Sequence, residues 1–179
     1  SRQVYEGLVT PGINMEILPQ LAESWEATAP DTWIFNIRKG VKFHDGSSLT
    51  AGDIAFSINR AKTAPSDMVD LIKSVKSATA IDDNTVEVKT EGPNPILLNQ
   101  LTQIFVMSEA WAKANGCEVS YNWDAGETSY CASNANGTGP FKITFREQDV
   151  RTVFEKNNDW WGDHSSHNID KIELLPIKN

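Results

Sequence analysis

The chain predicts an α+β fold with a largely antiparallel sheet. Two observations carry this: strands arrive as hairpins joined by short turns, and the amphipathic helices stand apart from them rather than alternating with them one for one. The clearest hairpin pairs residues 75–81 with 85–89 across Asp82-Asp83-Asn84, where Val86 and Val88 alternate with Glu87 and Lys89. A second joins 141–146 to 151–156.

From the N-terminus, Val4 to Val9 reads as a helix end or short strand, with a turn at Thr10-Pro11-Gly12. Leu18 to Ala22 reads as a short turn of helix that leads into a strand over 24–27. Residues 33–38 form a strand in which Trp33, Phe35 and Ile37 oppose Ile34, Asn36 and Arg38. A basic turn at Lys39-Gly40 follows, then a short strand over 41–43 and a turn at His44-Asp45-Gly46-Ser47. Thr50 is placed as an N-cap, with Asp53 as the acidic partner of a capping box. The helix that follows runs to about Lys62 and sets Ala51, Ile54, Ala55, Ile58 and Ala61 on one stripe. Thr63-Ala64-Pro65-Ser66 ends it, and Met68 to Ser74 reads as a helical turn. Pro93 and Pro95 open a helix reaching Leu101. Phe105-Val106-Met107 reads as an apolar strand. Ser108 caps a helix over 109–115, Gly116 closes it, and residues 170–177 supply a last strand.

The 179 residues are 40% apolar and 22% charged, ordinary for a globular domain with one core. No stretch approaches the roughly 18 apolar residues of a membrane span. The N-terminal residues show neither the basic nor the apolar region of a secretory signal. With 16 basic and 24 acidic residues the net charge is -8, which argues against a nucleic-acid partner, since phosphate backbones call for a basic stripe.

Five blocks of sequence occur in a telling order. They are Val4-Tyr5-Glu6-Gly7-Leu8-Val9, residues 18–26 (LPQLAESWE), residues 32–53 (TWIFNIRKGVKFHDGSSLTAGD), Gly137-Thr138-Gly139-Pro140-Phe141, and Asn157-Asn158-Asp159-Trp160-Trp161-Gly162. Together they resemble the family 5 extracellular solute-binding proteins, the dipeptide, oligopeptide and nickel receptors of ABC importers. The resemblance implies a two-lobed periplasmic-binding-protein type II architecture. Residues 1–179 would be a single domain of it, the smaller subdomain of the first lobe with flanking strands, with the second lobe expected to lie outside these residues. It implies a monomer in the periplasm or outside the cell, with membrane anchoring of the full-length protein as an alternative, which captures a small solute such as a peptide and delivers it to a membrane permease. No cofactor is expected. A secreted hydrolase or carbohydrate-binding domain on the same α+β core is the alternative; it would call for a nucleophile elbow or an acid pair, and neither pattern stands in the sequence.

The resemblance places ligand contacts at the loop after the first long helix, with Asp67 and Met68, and at Thr102 and Gln103. The aromatic and the arginine that some relatives carry in these two places are missing here. Cys117 and Cys131 are the two cysteines, and in an exported protein they are expected to pair; closing a loop of roughly 15 residues contributes about 3 kcal/mol in the chain-entropy model. Asp163-His164-Ser165-Ser166-His167 is only half a metal site and reads as a solvated turn, so no metal is expected. His44-Asp45 has no nucleophile beside it and reads as a turn. Asn136-Gly137-Thr138 fits a glycosylation sequon, but the glycines of that block answer better to backbone geometry. Of six tryptophans, Trp25, Trp33, Trp160 and Trp161 are expected to pack, whereas Trp111 and Trp123 have no claim on a ligand.

Overall fold

The computed structural model describes residues 2–122, 124–166 and 168–177. At its centre lies a four-stranded antiparallel sheet built from β3 (Ala22–Ala29), β4 (Thr32–Ile37), β5 (Val75–Asp82) and β6 (Thr85–Thr90), in the order β3-β4-β6-β5. A short hairpin precedes it, β1 (Val9–Pro11) with β2 (Ile17–Pro19). A three-stranded antiparallel sheet follows it, β7 (Phe141–Glu147), β8 (Arg151–Lys156) and β9 (Lys171–Leu174). Three helices, α1 (Ala51–Ala61), α2 (Leu97–Leu101) and α3 (Glu109–Ala114), pack beside the sheets. The α+β class with antiparallel sheets stands.

Sequence period sets the core. On β4 the alternation turns Phe35 and Ile37 inward and leaves Asn36 exposed. Helix α1 lies across β5 and β6, and its stripe of Ala51, Ile54, Ala55, Ile58 and Ala61 is buried along its whole length. These side chains meet Phe35, Val86, Val88, Ala78 and Leu101 in one apolar cluster, with Trp25, Trp33 and Trp161 packed on its margin.

Asp53 starts two helices at once. Its Oδ2 accepts from the Thr50 backbone N–H at 2.9 Å and from the Thr50 hydroxyl at 2.9 Å, while Oδ1 accepts from the Glu109 N–H at 2.8 Å. A carboxylate thus sits at the positive ends of both α1 and α3. One turn on, the Ser57 hydroxyl donates to the Asp53 carbonyl at 2.7 Å and accepts from the Met107 N–H at 3.0 Å, which ties residues 105–108 to the helix. Asn59 holds the helix to the sheet, donating to the Ala78 carbonyl at 2.8 Å and accepting its N–H at 3.1 Å.

Three local expectations are corrected. Leu18 to Ala22 is not helical: β2 takes Ile17–Pro19, and the Leu21 and Ala22 N–H groups bond the Gly7 and Leu8 carbonyls at 3.2 Å and 2.9 Å. The extended N-terminal segment offers these residues a pairing partner far off in sequence, and this overrides local preference. Residues 41–43 make a single bridge, Lys42 to Ser48, rather than a strand, and Phe105 likewise makes one bridge, to Gly7. Both segments are too short to build a ladder. Cys117 and Cys131 are disulfide-bonded.

Replacing Asp53 by Ala leaves two helix starts without their acceptor. Loss of about 2–3 kcal/mol of unfolding free energy is expected in urea titration, beyond the cost of an ordinary single cap; a loss under about 0.5 kcal/mol would show that Asp53 does not join the helices.

Candidate functional site

The most buried acid is not a reactive one. Glu6 is 2% exposed, and its carboxylate accepts from three donors: the Thr138 hydroxyl at 2.8 Å, Trp161 Nε1 at 2.8 Å and Trp160 Nε1 at 3.1 Å. Burial pushes its pKa above the ordinary carboxylate value, and the three donors and the Arg38 charge oppose that rise. With both oxygens engaged and no open face, this carboxylate is a fastening. Arg38 covers the same block from outside, its guanidinium 4.1 Å from the Trp161 ring centroid.

Gly137 and Gly139 let the chain pass close to residues 3–4. A Cβ on Gly137 would stand 2.0 Å from the Val4 carbonyl oxygen, and one on Gly139 would stand 2.6 Å from that of Gln3. The Gly139 and Phe141 N–H groups bond these same two carbonyls, each at 2.9 Å. The glycines of this block therefore serve close backbone approach. Asn136 is buried, and its amide donates to Asp45 at 2.8 Å.

His44 is also structural. Its Nε2 donates to the Gly139 carbonyl at 3.0 Å, and Nδ1 is buried without a partner among the described residues. Burial and the Lys142 charge hold its pKa below the usual imidazole value, against the Gly139 bond and Asp45, which raise it. His164 Nε2 donates to the Trp160 carbonyl at 2.7 Å, while His167 lies outside the described residues. Among the described residues no group of three His, Cys, Asp or Glu side chains is gathered to hold a metal ion. Trp111 meets the Tyr130 ring at 5.9 Å between centroids, and Trp123 lies outside the described residues.

The concave surface that involves the expected ligand residues lies at the C-terminal end of α1. Two neighbouring clefts share a wall of Arg60, Ser66 and Met68. One, of about 290 Å³, is closed by Gln103, Ile104, Phe105 and Met107. The other, of about 560 Å³, is closed by Asp67 and by Tyr121, Asn122 and Asp124 of the disulfide loop. The structure thus brings Met68 together with Gln103 on one side and with Asp67 on the other. Thr102 stands apart: it is buried, and its hydroxyl donates to the Asn99 carbonyl at 2.7 Å and accepts from the Gln103 amide at 3.1 Å. Its place is to orient Gln103.

Arg60 is the residue that sequence reasoning missed. It follows Asn59 at the end of α1, half-buried, and its Nε donates to the Cys117 carbonyl at 2.8 Å. A basic residue in the last turn of a helix reads as a dipole partner, and nothing local marks it as cleft-lining. Among the described residues no helix is long and apolar enough to cross a membrane.

The sequence matches the profile of the bacterial extracellular solute-binding proteins, family 5 Middle, over residues 16–179, and the chain belongs to that family. It is 30% identical over 172 residues to a dipeptide-binding protein of Escherichia coli (strain K12), which covers 82% of this chain and 30% of that one. The crystal structure of NikZ from Campylobacter jejuni in complex with Ni(L-His) has the same fold, with a TM-score of 0.85 at 23% identity, over 98% of this chain and 34% of the other. DppA from Helicobacter pylori in complex with the peptide STSA aligns with a TM-score of 0.78 at 26% identity, over 98% of this chain and 37% of the other. The chain spans about a third of the length of the curated relatives it matches.

The neutral ring of His44 is the folded-state form, so its contribution to stability is complete above the free imidazole value of about 6.5 and is lost as pH falls through the lowered folded value. Between about pH 7 and pH 5 the wild type is expected to lose unfolding free energy relative to His44→Gln, which keeps a donor but does not titrate. A difference that stays flat, or grows in favour of the wild type on acidification, would contradict this assignment.

Proposed function

We propose that this chain is part of the substrate-binding component of an ABC importer that captures small peptides, and that it supplies one wall of the ligand cleft. The observation that carries the reading is the trough at the end of α1. In it Met68, Asp67 and Gln103, which the family resemblance selects, line adjoining clefts beside an apolar floor of Ile104 and Met107. Relatives named for dipeptides and oligopeptides, and a related structure that holds a peptide, support peptides as the solute.

Residues 1–179 act as one domain, the smaller subdomain of a first lobe with its flanking strands. Small-ligand sites commonly bury 70–90% of the ligand. An open trough covers one face only, so a second lobe closing by a hinge completes the site and presents the loaded protein to a membrane permease. The protein works as a monomer in the periplasm or outside the cell, by binding rather than by catalysis. The hydrolase alternative has no observation in its favour.

A calorimetric or NMR panel of di- and tripeptides, simple sugars and nickel chelates tests this. Peptides are expected to bind the chain in the high micromolar to millimolar range, weakened by the missing enclosure; losing about 4 kcal/mol costs roughly a thousandfold. Shifts confined to sugars or chelates would overturn the reading.

A further inference from the structure

The sequence holds two Asn-Gly pairs, Asn115-Gly116 and Asn136-Gly137, and the fold treats them in opposite ways. An asparagine before glycine is chemically vulnerable. The glycine has no Cβ, so its backbone nitrogen can turn onto the asparagine side-chain carbonyl carbon. Whether it does depends on how firmly the amide and the glycine are held.

Asn136 is held on all sides. It is 2% exposed, its Nδ2 donates to Asp45 Oδ2 at 2.8 Å, and its Oδ1 accepts from the Asp45 N–H at 3.1 Å. Gly137 is pressed so closely on the Val4 carbonyl that the site has no space for a Cβ. Closing a ring there would break both side-chain bonds and displace packed backbone. Asn115 is different. It is the C-cap of α3, half-buried, and its one side-chain hydrogen bond among the described residues runs from Nδ2 to the Trp111 carbonyl at 2.8 Å. Gly116 stands at φ +65°, a Cβ there would meet nothing within 4 Å, and its N–H reaches the Lys113 carbonyl only at 3.4 Å. Both reacting groups are loosely held at a helix end, the part of a helix that frays.

We propose that Asn115 is a site of spontaneous deamidation in the folded chain, and that the fold protects Asn136 from the same reaction. Hydroxide takes the Gly116 amide proton, and the nitrogen attacks Asn115 Cγ. The Cγ–Nδ2 bond breaks, and the side-chain nitrogen leaves as ammonia. Water then opens the cyclic imide at either carbonyl and gives aspartate or isoaspartate; nothing is oxidised or reduced. The product bears on the larger cleft. A new carboxylate lies at the C-terminal end of α3, against the partial negative charge of its last carbonyls and close in sequence to Glu118. Isoaspartate also lengthens the main chain by a methylene just before Cys117. The Cys117 N–H donates to the Ala112 carbonyl at 2.8 Å, and its carbonyl accepts from Arg60 Nε at 2.8 Å. The wall residues Tyr121, Asn122 and Asp124 follow from this anchor.

The test incubates the folded 179-residue chain in mildly alkaline buffer, then reduces, digests and localises deamidation by fragment-ion mass spectrometry. Deamidation is expected at least about tenfold faster at Asn115 than at Asn136. In urea the two sites are expected to react at similar rates, since each is followed by glycine. Asn136 reacting as fast as Asn115 in the folded chain, or neither reacting there while both react in urea, would overturn the proposal. So would a difference that persists in urea, because the fold would not be its cause. NMR of the aged chain is expected to show moved amide signals at Cys117, Val119 and Tyr121, with those of β5 and β6 in place. Unmoved signals at Cys117 to Tyr121 would overturn the link to the cleft wall.

Discussion

A single buried carboxylate holds the ends of this structure together. Glu6 gathers donors from Thr138, Trp160 and Trp161, residues more than 130 positions away in the chain. Three of the five blocks that mark the family in sequence therefore meet at one side chain. The cost of taking a charge out of water is offset only because each donor aims at an oxygen, and removing any of them leaves buried polarity unpaired. The glycines at 137 and 139 follow from the same constraint, since the segment that delivers Thr138 must run against the backbone of residues 3–4 to reach Glu6. So do the extended residues 20–22, which pair with Gly7 and Leu8 on the other side of that N-terminal segment.

A second set of fastenings builds the trough on this frame. Asp53 fixes the start of α1 and α3, Ser57 draws residues 105–108 against the helix, and Arg60 reaches the carbonyls of the disulfide loop. Three successive turns of one helix face thus position the walls of both clefts. The loop that carries Asp67 and Met68 leaves from the end of the same helix. Cleft-lining residues from three separate stretches of chain take their places from one rigid element, the arrangement a preorganised site requires.

Much of this was legible locally. The capping box and apolar stripe defined α1 almost to the residue, because both depend on near neighbours. The β5–β6 and β7–β8 hairpins followed from alternation and turn chemistry, and two cysteines in a small polar loop paired as expected. The misread segments were those whose partners lie far away: residues 18–22 are extended because residues 7–8 pair with them, and Phe105 is bridged to Gly7. Of the site, Met68, Gln103 and Asp67 were reached through resemblance rather than through pattern. Arg60 was not, because a basic residue ending a helix looks the same whether it faces solvent or a cleft. Glu6 was hidden for the same reason: no spacing announces that an acid next to a tyrosine is buried beneath two indoles.

The claim that Glu6 joins these segments through its three donors is tested most directly by Glu6→Gln. The substitution removes the buried charge but turns an amide NH₂ toward groups that can only donate, the indole N–H groups of Trp160 and Trp161. Chemical denaturation near neutral pH is expected to show the Gln variant less stable by about 1–3 kcal/mol. A variant as stable as the wild type, or more so, would mean that desolvation of the charge outweighs its hydrogen bonds, and that something other than Glu6 joins these segments.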